Sequence, residues 1–208
     1  MVAGLTHPPR YAATQSETLK PGMRVGLYGG SFDPVHAAHL HVARTALKRL
    51  RLDRVWWLVT PGNPLKSRAP GPLDARMKAV RQVANTPRMV ISDMEARTGT
   101  TRTVELVRDL QQRHSGVHFV WIMGADGLAG FHQWHAWREI ADRVPLCIIA
   151  RPGSGFKARL GPAARQMRAR RVAESGAHAL LSRPSGWTYL TEPLHPHASR
   201  LMRNPPTP

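Results

Sequence analysis

The chain has 208 residues, 42% of them hydrophobic, which is enough for one domain with a proper core. No uninterrupted apolar run approaches the roughly 20 residues of a membrane helix, and a single cysteine, Cys147, excludes an internal disulfide framework or a multi-cysteine metal site. The 30 Lys and Arg residues against 13 Asp and Glu leave a formal charge of +17, a field that attracts nucleotides, pyrophosphate or nucleic acid without choosing among them.

Residues 1–23 are polar, interrupted by Pro8, Pro9 and Pro21, and lack the apolar stretch of a signal peptide. They are expected to form a disordered tail, with the cytoplasm as the compartment. A short apolar run over 24–28, closed by Gly29-Gly30, predicts a first strand. Apolar residues near helical spacing predict a helix over 34–50, with Pro34 in its first turn. A second buried strand is expected over 54–60, halted by Pro61-Gly62-Asn63-Pro64. A helix over 73–84, a third strand over 89–92 and a helix over 103–114 follow. A fourth strand is predicted over 117–123, then a helix over 136–142 and a fifth strand over 145–150. Beyond Pro152-Gly153-Ser154-Gly155 a basic helix is expected over 163–174, and a sixth strand over 187–190. The tail 204–208 is Pro-rich and expected to be disordered.

Alternating strands and helices predict an α/β domain over 24–203: a Rossmann-like, doubly wound, mostly parallel sheet with helices on both faces. Such sheets bind ligands beyond the C-terminal ends of their strands. Polar clusters stand there at residues 29–39, 61–66, 124–126 and 151–153, so segments far apart in sequence are expected to meet on one rim.

The segment 29–39 carries the most chemistry. Two glycines after a strand let the backbone turn sharply and approach a ligand, and a helix start offers N–H groups to phosphate. His36 and His39, three apart, can hydrogen-bond or neutralise phosphate oxygens; the alternative is a His-x-x-His metal pair, which needs further ligands. The string is neither a Walker A loop nor a Gly-x-Gly-x-x-Gly fingerprint.

Gly-Ser-Phe-Asp-Pro-Val-His-x-x-His, residues 30–39, resembles the signature of the nucleotidyltransferase superfamily defined by a His-x-Gly-His motif, with Ala38 where that family usually has Gly. Three further stretches resemble bacterial nicotinate-nucleotide adenylyltransferases in the family's order. These are 55–66 (VWWLVTPGNPLK), Gly124-Ala125-Asp126 with Trp134, and Arg151-Pro152-Gly153. The resemblance implies that His36 and His39 bind ATP phosphates and stabilise charge as pyrophosphate leaves. It places Gly29, Gly30, Ser31, Phe32, Gly124 and Asp126 at ATP. It gives the nicotinate mononucleotide to Asn63, Lys66, Thr103, Trp134, His135 and Arg151, with Trp134 stacking on the pyridine ring. A C-terminal phosphate clamp maps onto Ser199 and Arg203; Ala198 and Arg200 depart from its pattern, as does Arg102, where the family usually has Tyr.

The implied reaction is AMP transfer from ATP to nicotinate mononucleotide, with Mg²⁺ carried by ATP and no protein-bound metal. Nicotinamide mononucleotide or phosphopantetheine as acceptor, and a basic nucleic-acid-binding protein that has lost catalysis, are the alternatives. The substrates are the expected partners, with no membrane and with a homo-oligomer left open.

Overall fold

Alternation of side chains along the apolar runs sets the architecture. In the computed structural model, described over residues 19–62, 68–150, 158–183 and 185–191, the runs become seven strands of one sheet. These are β1 (Arg24–Gly30), β2 (Arg54–Val59), β3 (Met89–Ser92), β4 (His118–Gly124), β5 (Leu146–Ile149), β6 (Arg171–Val172) and β7 (Trp187–Leu190). The strand order is β3-β2-β1-β4-β5-β7-β6, and every pairing is parallel. The sheet is therefore wholly parallel among the described residues, where the sequence predicts mostly parallel.

Successive residues of a strand point to opposite faces, and each face buries its own core. Val25 and Leu27 of β1, Trp56 and Leu58 of β2, Phe119, Trp121 and Met123 of β4, and Leu146 and Ile148 of β5 share one cluster. Tyr28, Val55, Trp57, Val120, Ile122, Cys147 and Ile149 share the other. Runs buried on both sides read as continuous apolar strings, which is the sequence signature of parallel strands.

Helices cover both faces. On the second lie α1 (Ala37–Arg49) and α2 (Leu73–Val83), through Val42, Ala43, Ala46, Met77 and Val80. On the first lie α4 (Thr103–Arg113), α5 (Ala125–Gly130), α6 (Trp137–Arg143) and α7 (Pro162–Gln166), through Val107, Leu110, Leu128, Ile140 and Ala163. A short α3 (Met94–Thr98) follows β3 directly. No helix among the described residues is long and apolar enough to cross a membrane. Leu19 and Met23, at the end of the expected tail, pack on the first core, and the Gly22 N–H donates to the Gly116 carbonyl at 2.7 Å.

Two of the expected helices take a different course, and α3 and α5 are additions to the expected elements. The helix expected from residue 34 starts at Ala37: Asp33–Pro34 is a cis peptide, and His36 is extended (φ −152°, ψ 173°) as the residue preceding the first turn. Pro34 thus precedes the helix rather than opening it. The helix begins where its first unpaired N–H finds an acceptor, since the His36 N–H donates to His39 Nδ1 at 3.2 Å.

The basic helix expected over 163–174 is broken. It ends at Gln166, gives a 3₁₀ turn over Arg168–Arg170, and then becomes β6. Tertiary partners override local propensity here. The buried Trp187 Nε1–H donates to the Met167 carbonyl at 2.9 Å, and the Thr188 hydroxyl to the Val172 carbonyl at 3.1 Å. A 3₁₀ segment over Glu174–Ser182 then buries Ala177, Leu180 and Leu181.

Candidate active site

The chain runs from β1 outward to β3 and returns through β4 on the other side of β1, so the crevice beside β1 is the switch point of the sheet. A cavity of about 570 Å³ opens there, lined by Gly29 and Gly30 at the end of β1, Ser31 after it, Thr60 and Gly62 after β2, Glu95 on α3, 101–103 entering α4, Trp121 on β4 and 133–135 after α5. Residues spread from 29 to 135 thus converge on one rim. Of the residues singled out from the sequence, Gly29, Gly30, Ser31, Thr103, Trp134 and His135 line this cavity.

Gly29 makes that approach feasible, because a Cβ there would stand 2.8 Å from the ring of Trp121, too close for any side chain. Trp121, a core residue of β4, is 1% exposed and is also this wall of the cavity. Its ring meets Trp134 edge-on, with centroids 6.0 Å apart and planes at 87°; Trp134 also packs edge-on against Phe131 at 5.3 Å. Trp134 is only partly buried, so the packing that fixes its ring leaves surface for a second flat group.

The other described residues that the sequence assigns to ATP and its phosphates are not part of this lining. Phe32 has a left-handed backbone (φ +46°), uncommon for a bulky residue. Its ring is locked against Tyr28 at 5.3 Å, Trp57 at 5.1 Å and His39 at 5.2 Å. His36 and His39 are buried with ring centroids 3.9 Å apart. The bond that His39 Nδ1 accepts from the His36 N–H fixes its tautomer: a neutral His39 carries its proton on Nε2. Gly124 closes β4, and Asp126 is exposed on the first turn of α5. Asn63, Lys66, Arg151, Ser199 and Arg203 lie outside the described residues.

Two buried polar side chains at this rim escape sequence reasoning. Arg76, on α2, is 5% exposed. Its Nη1 donates to the Ser31 carbonyl at 2.7 Å and the Thr60 carbonyl at 2.9 Å, and its Nε to the Gly71 carbonyl at 2.8 Å. Burial lowers its pKa, opposed by the charge of Asp33, whose carboxylate accepts the Gly71 N–H at 3.3 Å. Glu95 is 6% exposed, and burial pushes its carboxyl up to about 7, moderated by a hydrogen bond to the Thr60 side chain. A carboxyl three residues after a buried strand, on the ligand rim, is a legible signal for Glu95. Arg76 has none, since its burial depends on carbonyls from three separate segments.

Thr100, Arg102 and Glu105 form a local knot where the family resemblance expects a Tyr. The Thr100 hydroxyl donates to the Glu105 carboxylate, the Arg102 N–H donates to that hydroxyl at 3.1 Å, and Arg102 Nη1 reaches Glu105 at 3.4 Å. The Thr100 bond, then Arg102, holds the Glu105 carboxyl below its usual range. The departure at Arg102 is thereby absorbed at the entry to α4. Among the described residues no group of three or more His, Cys, Asp or Glu is placed to hold a metal ion.

A parallel sheet with a glycine turn, paired imidazoles and an aromatic-walled cavity at its switch point defines a nucleotidyltransferase of the cytidylyltransferase-like kind, and that family's model matches residues 27–198. A Cereibacter sphaeroides protein described as "Probable nicotinate-nucleotide adenylyltransferase" is 50% identical over 181 residues, covering 87% of this chain and 97% of that one. A Roseobacter denitrificans protein of the same description is 46% identical over 187 residues, covering 89% and 94%. The chain belongs to the nicotinate-nucleotide adenylyltransferase family. Among solved structures, Plasmodium falciparum nicotinic acid mononucleotide adenylyltransferase complexed with NaAD matches with a TM-score of 0.62 at 16% identity, over 83% of this chain and 77% of that one, a likeness of fold.

Proposed function

We infer that the chain transfers AMP from ATP to nicotinate mononucleotide, giving nicotinate adenine dinucleotide and pyrophosphate, a step of NAD biosynthesis. The observation that carries this reading is the convergence of the Gly29–Ser31 segment and the Trp134 wall on one cavity. Its size, about 570 Å³, lies in the range of small-molecule sites. The phosphate of the mononucleotide attacks the α-phosphorus of ATP in line, its new P–O bond forming as the bond to pyrophosphate breaks. No protein nucleophile is needed, so catalysis rests on positioning and charge neutralisation.

In this reading Gly29, Gly30, Ser31 and Phe32 form the turn against the triphosphate, and His36 and His39 neutralise charge on the leaving pyrophosphate. Asp126, on the rim beyond Gly124, holds the nucleotide. Trp134 offers its partly buried face to the pyridine ring, with Thr103 and His135 beside the carboxylate. Asn63, Lys66 and Arg151 are assigned to the mononucleotide, and Ser199 and Arg203 to the far phosphates, on family resemblance alone. Mg²⁺ enters as part of the MgATP substrate, with phosphate oxygens and water as its ligands. Glu95 fits this use, since a carboxyl that keeps its proton towards neutrality places less negative charge beside anionic substrates. The cytoplasm is the proposed compartment, consistent with a lone cysteine whose thiol burial renders inert.

A panel of acceptors with pyrophosphate detection tests the reading. Nicotinate mononucleotide is expected to exceed nicotinamide mononucleotide and phosphopantetheine in kcat/KM. Equal or greater turnover of either rival would overturn the acceptor assignment, and no pyrophosphate with any of them would overturn the reaction.

A further inference from the structure

We propose that Arg76 is a positioning residue for the transfer: its guanidinium is the joint that holds the turn after β1 and the end of β2 at a fixed spacing across the cavity rim. The proposal rests on the nucleotidyltransfer reading above. Its basis is geometric. One buried Nη1 bonds both the Ser31 and Thr60 carbonyls, at 2.7 and 2.9 Å, and Ser31 and Thr60 both line the cavity. Nε anchors the same guanidinium to the Gly71 carbonyl at 2.8 Å, and Asp33 accepts the Gly71 N–H at 3.3 Å. Four points of the rim, at 31, 33, 60 and 71, are thus referred to one planar cation.

The peptide plane transmits this further. A trans peptide points its C=O and the following N–H in opposite directions, so drawing the Ser31 carbonyl towards Arg76 turns the Phe32 N–H the other way. Phe32 is also where the backbone takes its left-handed φ of +46°. A bulky residue keeps such a conformation only where its surroundings impose it, and such sites concentrate where function requires a set geometry. Here aromatic packing holds the Phe32 ring while Arg76 holds the preceding carbonyl. The turn leads directly to His36 and His39, so its set also decides where the paired imidazoles stand. A lysine supplies the charge but not a rigid fork able to meet three carbonyls at fixed angles.

The test is made on the full chain with Arg76→Met and Arg76→Lys, measuring kcat and both KM values beside the thermal midpoint, with and without added guanidinium. The expected result for Arg76→Met is a loss of about 100-fold in kcat, the scale of a 1 Å misplacement. Both KM values should change far less, and millimolar guanidinium should restore part of the turnover in this variant and none in the wild type. A kcat within about threefold of wild type would overturn the proposal, as would a loss that follows the unfolded fraction and does not respond to guanidinium. Should Arg76→Met fail to fold, Arg76→Lys decides. A folded lysine variant with kcat lowered roughly tenfold or more supports the fork geometry, and one with normal kcat overturns it. Absence of turnover in the wild type would overturn the functional reading instead, which keeps the two failures apart.

Discussion

The pairing of His36 with His39 shows how much a single bond does at this site. One backbone N–H, given at 3.2 Å to His39 Nδ1, ends the preceding turn, starts α1 and selects the histidine's tautomer. His36→Ala and His39→Ala are each expected to lower turnover by roughly 100-fold or more, the scale of losing one stabilising donor. The fold should survive with at most about 1–2 kcal/mol lost, the cost of an N-terminal cap. Pyrophosphate release beside circular dichroism checks this, and near-normal rates in both variants would remove the histidines from the mechanism. Glu95 makes a prediction of a different kind. Its folded-state pKa of about 7 exceeds the ordinary 4.5, so the folded chain binds more protons than the unfolded one between those values. Its contribution to stability therefore falls as pH rises through that window. Glu95→Gln removes this dependence, and the variant should gain on the wild type by up to about 3 kcal/mol between pH 5 and 8. Thermal melts across that range decide the matter; curves that stay parallel would mean the carboxyl titrates normally.

Elements show where local pattern is overruled. β1, β2, β4 and β5 are legible because a strand buried on both faces is apolar throughout, as in Val55-Trp56-Trp57-Leu58-Val59. Residues 163–174 carry a helical composition, yet Trp187 and Thr188 of β7 claim the Met167 and Val172 carbonyls and turn the end of that segment into a strand. The Met167 carbonyl also accepts the Arg170 N–H at 2.9 Å, so the indole is its second partner. Trp187→Phe is expected to cost roughly 1–2 kcal/mol through this lost bond and the smaller ring. That lowers the melting midpoint by several degrees, while KM for both substrates stays unchanged because Trp187 does not line the cavity. Calorimetry with steady-state kinetics on the same preparation checks both halves, and a KM shift would tie this edge of the sheet to the site.

At the scale of the whole molecule the charge of +17 acts on encounter rather than on the chemical step. Both substrates are anions, so their capture should be sensitive to salt, whose screening length is about 10 Å at 0.1 M. Raising ionic strength from roughly 0.05 to 0.3 M is expected to lower kcat/KM several-fold for each substrate while kcat moves little. Initial-rate measurements over that range test it; kcat falling in step would place the salt effect on the reaction itself. Many of the arginines are tied into local pairs, such as Arg108 and Arg143 on Glu139, whose carboxyl the Arg108 and then the Arg143 hydrogen bonds hold down to about 2.

The order of apolar runs, the glycine turn and the two histidines are properties of neighbouring residues, and they suffice to predict a parallel α/β sheet with a phosphate-facing end at Gly29–His39. Burial follows from hydrophobic periodicity, which a short window of chain already contains. Arg76, Glu95 and the second role of Trp121 are of another kind. A buried arginine is recognisable only once the carbonyls of Ser31, Thr60 and Gly71 are brought around it. Likewise, Glu95 acquires its raised pKa from burial that only the folded chain supplies. Polar groups in an interior owe their state to partners that long-range contacts supply, and those contacts are set when the sheet closes its strands into register.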